Sequence, residues 1–104
     1  MIEINHSWTS TGSSGAVGEP VYVRFPPLET EVSVAHSTLA TTQSWSFQTA
    51  TESSGPWFTE GSTAISTAVA GRSVMRFTGP FAWGRVYLNT ASTGTYTIKL
   101  LGVS

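Results

Sequence analysis

Hydrophobic and polar residues alternate with a period of two along most of this chain, the spacing of strands that bury one face. In the first such run Ile2, Ile4, His6 and Trp8 share one side against Glu3, Asn5 and Ser7. Thr9 to Glu19, TSTGSSGAVGE, breaks the pattern and is too rich in glycine and hydroxyls to hold a ladder, which predicts a flexible loop or arm over 9–19. Val21, Val23 and Phe25 then alternate with Tyr22 and Arg24, and Pro26-Pro27 ends that strand because neither can donate to a sheet. Leu28, Thr30, Val32 and Val34 face inward against Glu29, Glu31 and Ser33. Trp45, Phe47 and Thr49 do so against Ser44, Ser46 and Gln48.

Beyond them Ser53-Ser54-Gly55-Pro56 turns the chain, Trp57-Phe58 is a short apolar pair, and Glu60-Gly61 predicts a second turn. In STAISTAVA, residues 62–70, alanine favours helix while Thr, Ile and Val favour sheet. The reading is a strand with Ile65, Thr67 and Val69 on one face. Strands over 74–78, 81–89 and 95–102 complete a set of about eight, short and regularly spaced. That pattern describes one all-β domain over 1–104, an antiparallel β-sandwich or jelly-roll.

Composition narrows what such a domain does. The 104 residues carry 11% charged side chains and a formal net charge of -1, against the roughly 25% charged residues of typical soluble proteins. One lysine, Lys99, and four arginines cannot line a phosphate backbone, so nucleic acid is not an expected partner. No apolar run reaches the ~20 residues of a membrane helix. The start, MIEINHSWTS, lacks the basic and apolar regions of a signal peptide, so the expectation is either a mature fragment or a protein that reaches the outside by assembly or lysis, as virion proteins do. With no cysteine, neither disulfides nor zinc-thiolate sites hold the fold.

Candidate chemistry is sparse. Glu29 and Glu31 project from one face of a strand near the ~5–5.5 Å spacing of retaining glycosidases. Two groups on one strand cannot flank a substrate, however, and the pair reads as a charged edge. Aspartate is absent, removing the usual orienting acid of a triad and most calcium loops. His6 and His36 stand alone in their strands, without metal-ligand spacing. The first reads as half-buried and the second as a surface residue. No G-x-S-x-G or S-x-x-K surrounds the many serines, and no phosphate-loop spacing orders the glycines. Catalytic, cofactor-binding and metal-ligating residues are therefore not expected, and the chain reads as non-enzymatic.

Aromatic residues carry the positive signal. Along the strand from Phe81, Trp83, Arg85 and Tyr87 share one side and Ala82, Val86 and Leu88 the other. With Val86 and Leu88 in the core, Trp83, Arg85 and Tyr87 form an outward stripe, which Trp57 can join. That is the composition of a protein interface or a glycan platform, the interface being favoured. The opposite orientation would bury Arg85 and require a partner for it.

SWSFQTATESSGPWFTEG and RFTGPFAWGRVYLNTASTGTYTIKLLG resemble the small all-β structural proteins of tailed bacteriophages. In these a strand, a tryptophan-bearing turn, a G-P-F/R-V hairpin and a closing T-G-T strand recur. The resemblance covers about residues 42–102. It implies a capsid cement or decoration protein on the virion surface, often a homotrimer, with the major capsid protein or another virion protein as partner, or else a tail or fibre component. A carbohydrate-binding or receptor-binding module is the alternative.

Overall fold

A computed structural model describes residues 3–23, 29–39, 42–65, 69–78 and 82–103. Eight strands follow one another: β1 (Glu3–Ser10), β2 (Gly15–Tyr22), β3 (Glu29–His36), β4 (Gln43–Ala50), β5 (Phe58–Ile65), β6 (Gly71–Phe77), β7 (Trp83–Leu88) and β8 (Tyr96–Val103). They form two four-stranded antiparallel sheets ordered β1-β8-β3-β6 and β2-β7-β4-β5. Of the successive strands, β4 and β5 are neighbours in one sheet, and every other connection crosses to the opposite sheet. This is the strand order of a jelly-roll sandwich.

The central strands form the core because their alternation is the most regular. Val32 and Val34 of β3, Trp45 and Phe47 of β4, Val86 and Leu88 of β7, and Tyr96, Ile98 and Leu100 of β8 are all fully buried. Each polar tip among them has a partner, as burial demands. The Tyr96 hydroxyl donates to the Ser92 carbonyl at 2.8 Å. Trp45 Nε1 donates to Ser73 Oγ of β6 at 3.0 Å, a bond that reaches from one sheet to the other. Ser73→Ala leaves that N–H buried without an acceptor, and a loss of about 1–3 kcal/mol is expected in urea unfolding. An unchanged midpoint would mean that the bond adds nothing between the sheets.

Buried Gln43 fixes the start of β4 to the turn after β7. Its Oε1 accepts from the Thr90 N–H at 2.9 Å and the Thr90 hydroxyl at 2.6 Å, and its Nε2 donates to the Thr90 carbonyl. Glu29 and Glu31 both pair with Arg76 of the neighbouring β6, at 3.1 and 3.4 Å. Their strand lies between β8 and β6 and is not an edge. An exposed network of this kind contributes within about 1 kcal/mol.

Several expectations are corrected. The stretch 9–19 is not one loop: Thr9 and Ser10 close β1, Gly15 opens β2, and residues 11–14 connect them. Glycine does not prevent a strand there because β2 is an edge strand whose one ladder, to β7, is interrupted between Val17 and Val21 by a bulge. At the bulge Gly18 has φ +65°, and a Cβ on it would lie 2.0 Å from the Trp8 ring, so β2 crosses that indole closely.

Glu60-Gly61 is likewise no turn but lies within β5. The register passes from Phe47↔Gly61 to Gln48↔Thr59, which makes Glu60 the extra residue of a bulge. Within the described residues that strand runs to Ile65, which is buried, whereas Val69 is 68% exposed, so the two do not share a buried face.

The two histidines exchange the environments expected of them. His36 continues the inward phase of Thr30, Val32 and Val34 and is buried, its Nδ1 2.9 Å from the Ser37 carbonyl. His6 is exposed and leans on the Trp8 ring at 4.5 Å. Ile2, Arg24, Phe25, Pro26-Pro27, Leu28, Thr67 and Phe81 lie outside the described residues.

Candidate functional site

The outward face of the β2-β7-β4-β5 sheet brings the aromatic residues together. On β7, Gly84, Val86 and Leu88 are buried while Trp83, Arg85 and Tyr87 are half-buried on the other side. Interior packing therefore turns the stripe outward, since the two apolar residues in phase with Gly84 take the core positions. Trp57 arrives from the connection between β4 and β5, where the Gly55 N–H donates to the Glu52 carbonyl at 3.0 Å and closes a turn. Its ring lies under the Arg85 guanidinium, 4.3 Å from centroid to Cζ. The Tyr87 ring lies on the same guanidinium at 5.7 Å.

Arg85 is the best-held side chain of this platform. Its Nε donates to Gln48 Oε1 at 2.8 Å, a contact made possible by the Gln48↔Arg85 register of β4 and β7. Partial burial lowers the guanidinium pKa from its ordinary value, and the neighbouring Tyr87 works against that shift. The group stays charged under all ordinary conditions. Such a cation–π contact is worth about 0.5–2 kcal/mol according to its desolvation.

Two residues unmarked in the sequence reading belong to the same surface. Tyr22 of β2 is 42% exposed, and its ring meets that of Trp83 at 5.1 Å. Its phase opposite Val21 and Val23 is the signal that places it outward. Gln48 has no comparable signal, because its role depends on a strand pairing between residues 37 positions apart. Beside them runs a hydroxyl and amide seam. Ser46 Oγ is 2.7 Å from Ser62 Oγ and donates to Asn89 Oδ1 at 3.2 Å, and Asn89 Nδ2 donates to Ser44 Oγ at 3.0 Å.

The platform stacks, donates and accepts hydrogen bonds, and presents one positive charge. It contains no nucleophile paired with a base. Recesses of about 280 Å³ at His36, Ile65 and Arg72 and about 420 Å³ at Gln43 and Thr90 include none of the aromatic residues or Arg85, and the second reaches Ser44 of the seam. Among the described residues no three His, Asp or Glu side chains gather where they could hold a metal ion, and no helix is long and apolar enough to cross a membrane.

No protein-family model matches the chain, and no curated protein matches it in sequence. Solved structures do share its fold. The chain is similar to the crystal structure of the SPBc2 prophage-derived protein YomS at 20% identity and a TM-score of 0.69, over 100% of this chain and 96% of that one. It is similar to a CBM4 structure at 12% identity and a TM-score of 0.54, covering 96% and 71% of the two chains. The CBM22-1 xylan-binding domain of Paenibacillus barcinonensis Xyn10C matches at 11% identity and a TM-score of 0.54, covering 94% and 73%. At these identities the likeness is one of fold. With YomS the chain shares the sandwich of a small phage-derived β protein over its whole length.

Proposed function

We propose that this chain is a non-enzymatic structural protein of a phage particle, which oligomerises, as a trimer by preference, and cements or decorates the assembled shell. The observation that carries this reading is the outward platform of Tyr22, Trp57, Trp83, Arg85 and Tyr87 on a rigid sheet. Aromatic residues and arginine dominate the energetic centres of protein interfaces. The full-length likeness to a prophage-derived protein supports the setting. Binding the assembled shell and not its separate subunits stabilises the shell by mass action, so its rupture temperature rises with the concentration of this protein. The partner is the major capsid protein or another surface protein of the virion.

Particles made by the genome that encodes the chain provide the test. Cryo-electron microscopy is expected to show the chain on the shell. Trp83→Ala is expected to bind shells roughly 30-fold or more weakly, the size of a hot-spot loss, while melting near the wild-type temperature because Trp83 is not part of the core. Particles without the chain, or undiminished binding by Trp83→Ala, would overturn the reading.

A second reading is favoured by the Tyr22 and Trp83 rings standing side by side next to the amide and hydroxyl seam, a composition suited to stacking on sugars. It makes the chain a carbohydrate-binding or receptor-binding module, and the fold likeness to CBM4 and CBM22-1 structures supports it. A glycan array separates the two readings. Reproducible sugar binding that Trp83→Ala abolishes selects the module, and silence selects the structural role.

A further inference from the structure

Arg76 and Arg85 are treated oppositely by the fold. Arg76 is largely exposed and has two carboxylates, Glu29 and Glu31. Arg85 is half-buried and, among the described residues, has no carboxylate at all. The more desolvated charge is thus the uncompensated one, and such a charge gains most from an anion brought to it. The fold also fixes how the anion would meet it. Trp57 covers one face of the guanidinium and Tyr87 flanks it, while Gln48 holds Nε in the plane. Among the described residues the terminal Nη edge takes no partner and is left as the donor pair, already oriented by three neighbours. A planar fork held in this way matches the two oxygens of a carboxylate.

Resting on the interface reading above, we propose that Arg85, framed by Trp57 and Tyr87, is a carboxylate-receiving site, and that its occupant is an Asp or Glu side chain of the protein on which this chain docks. Charge complementarity selects an acidic occupant, and the aromatic walls exclude water from the ion pair and strengthen it. The chain's own net charge of -1 supplies no long-range attraction for an acidic surface. The pair therefore acts after contact, and Arg85→Gln is expected to speed dissociation and leave association nearly unchanged.

The test uses the full chain labelled with nitrogen-15 and titrated at constant ionic strength. N-acetyl-L-glutamate is the probe, N-acetyl-L-glutamine its neutral control, and D-glucuronate the acidic-sugar control. The Arg85 Nε–H and Trp57 Nε1–H resonances are expected to shift saturably with acetylglutamate and not with acetylglutamine. Arg85→Gln should abolish the response while the chain still unfolds cooperatively, its melting temperature lowered by no more than roughly 10 °C through loss of the cation–π contact. Arg85→Lys, which keeps the charge but loses the fork, should weaken binding about tenfold.

An equal response to both amino-acid probes, or one that survives Arg85→Gln, would overturn the site. Glucuronate bound more than about tenfold tighter than acetylglutamate would overturn the protein occupant in favour of an acidic sugar. Shell binding measured alongside separates the two claims. If Trp83→Ala abolishes it and Arg85→Gln does not, the carboxylate site falls and the docking face stands. If the wild-type chain ignores shells yet responds to acetylglutamate through Arg85, the structural role falls and the carboxylate site remains.

Discussion

Trp45→Ala is expected to lose about 3–5 kcal/mol of stability, the range for truncating a large core aromatic. Domains of this size hold only about 5–15 kcal/mol in total. The variant should therefore unfold at a much lower urea concentration, with a slope close to that of the wild type. The indole is fully buried and belongs to the β2-β7-β4-β5 sheet, and its N–H ends on Ser73 of the opposite sheet. Its removal opens a cavity at the middle of the sandwich and takes away the donor that Ser73 accepts from. Trp45→Phe separates these contributions, because it keeps most of the ring and gives up the hydrogen bond. A loss of about 1 kcal/mol is expected for it, the usual net worth of such a bond, plus a smaller packing term. An unchanged unfolding midpoint for Trp45→Ala would show that the two sheets do not close over this side chain.

The strands legible in the sequence are those with two neighbours. In β3, β4, β7 and β8 the buried face is written as Val32 and Val34, Trp45 and Phe47, Val86 and Leu88, and Ile98 and Leu100, because a central strand packed on one side alternates cleanly. Edges obey weaker rules. β2 holds its place with Val17, a glycine bulge and Val23 just past its end, and that composition is also the composition of a loop. Glu60-Gly61 shows the same ambiguity, since the residues that make a turn also make a bulge. His36 was legible by phase, one step beyond Val34, and is obscured only by treating histidine as a surface residue.

Alternation says which side a residue faces but not which strand lies beside it. It is enough to put Trp83, Arg85 and Tyr87 on one outward row. It does not reveal that Gln48 aligns with Arg85, that Tyr22 aligns with Trp83, or that a loop returns Trp57 to the guanidinium. Those relations follow from the jelly-roll order, in which β7 pairs with β2 and β4 from distant parts of the chain. The stripe is a property of one strand, whereas the platform is a property of the fold.

The connection at 11–14 bears on stability in a way that its composition conceals. Gly12→Ala is expected to cost about 3 kcal/mol or more, by two mechanisms that add. Gly12 has φ +97°, a conformation that L side chains rarely adopt, and holding one there costs about 1–3 kcal/mol. A Cβ on it would also lie 1.9 Å from the Ser92 carbonyl oxygen, which is backbone and cannot rotate away. That carbonyl is held by the Tyr96 hydroxyl, and the Ser92 N–H donates to the Gly12 carbonyl at 3.0 Å, so both loops and the buried tyrosine would have to move together. Overpacking of this kind adds about 1–3 kcal/mol. Gly15→Ala is the internal control, with φ +118° but nothing within 4 Å of its Cβ. It should show the backbone cost alone, so the difference between the two midpoints measures the steric part. Equal midpoints would mean that the Ser92 loop yields freely. The same contacts govern removal of residues 9–19, which takes away the end of β1, the Gly12 tie and the Val17 half of β2. That deletion should abolish cooperative unfolding altogether, because the segment is a wall of the sandwich and not an arm extended from it.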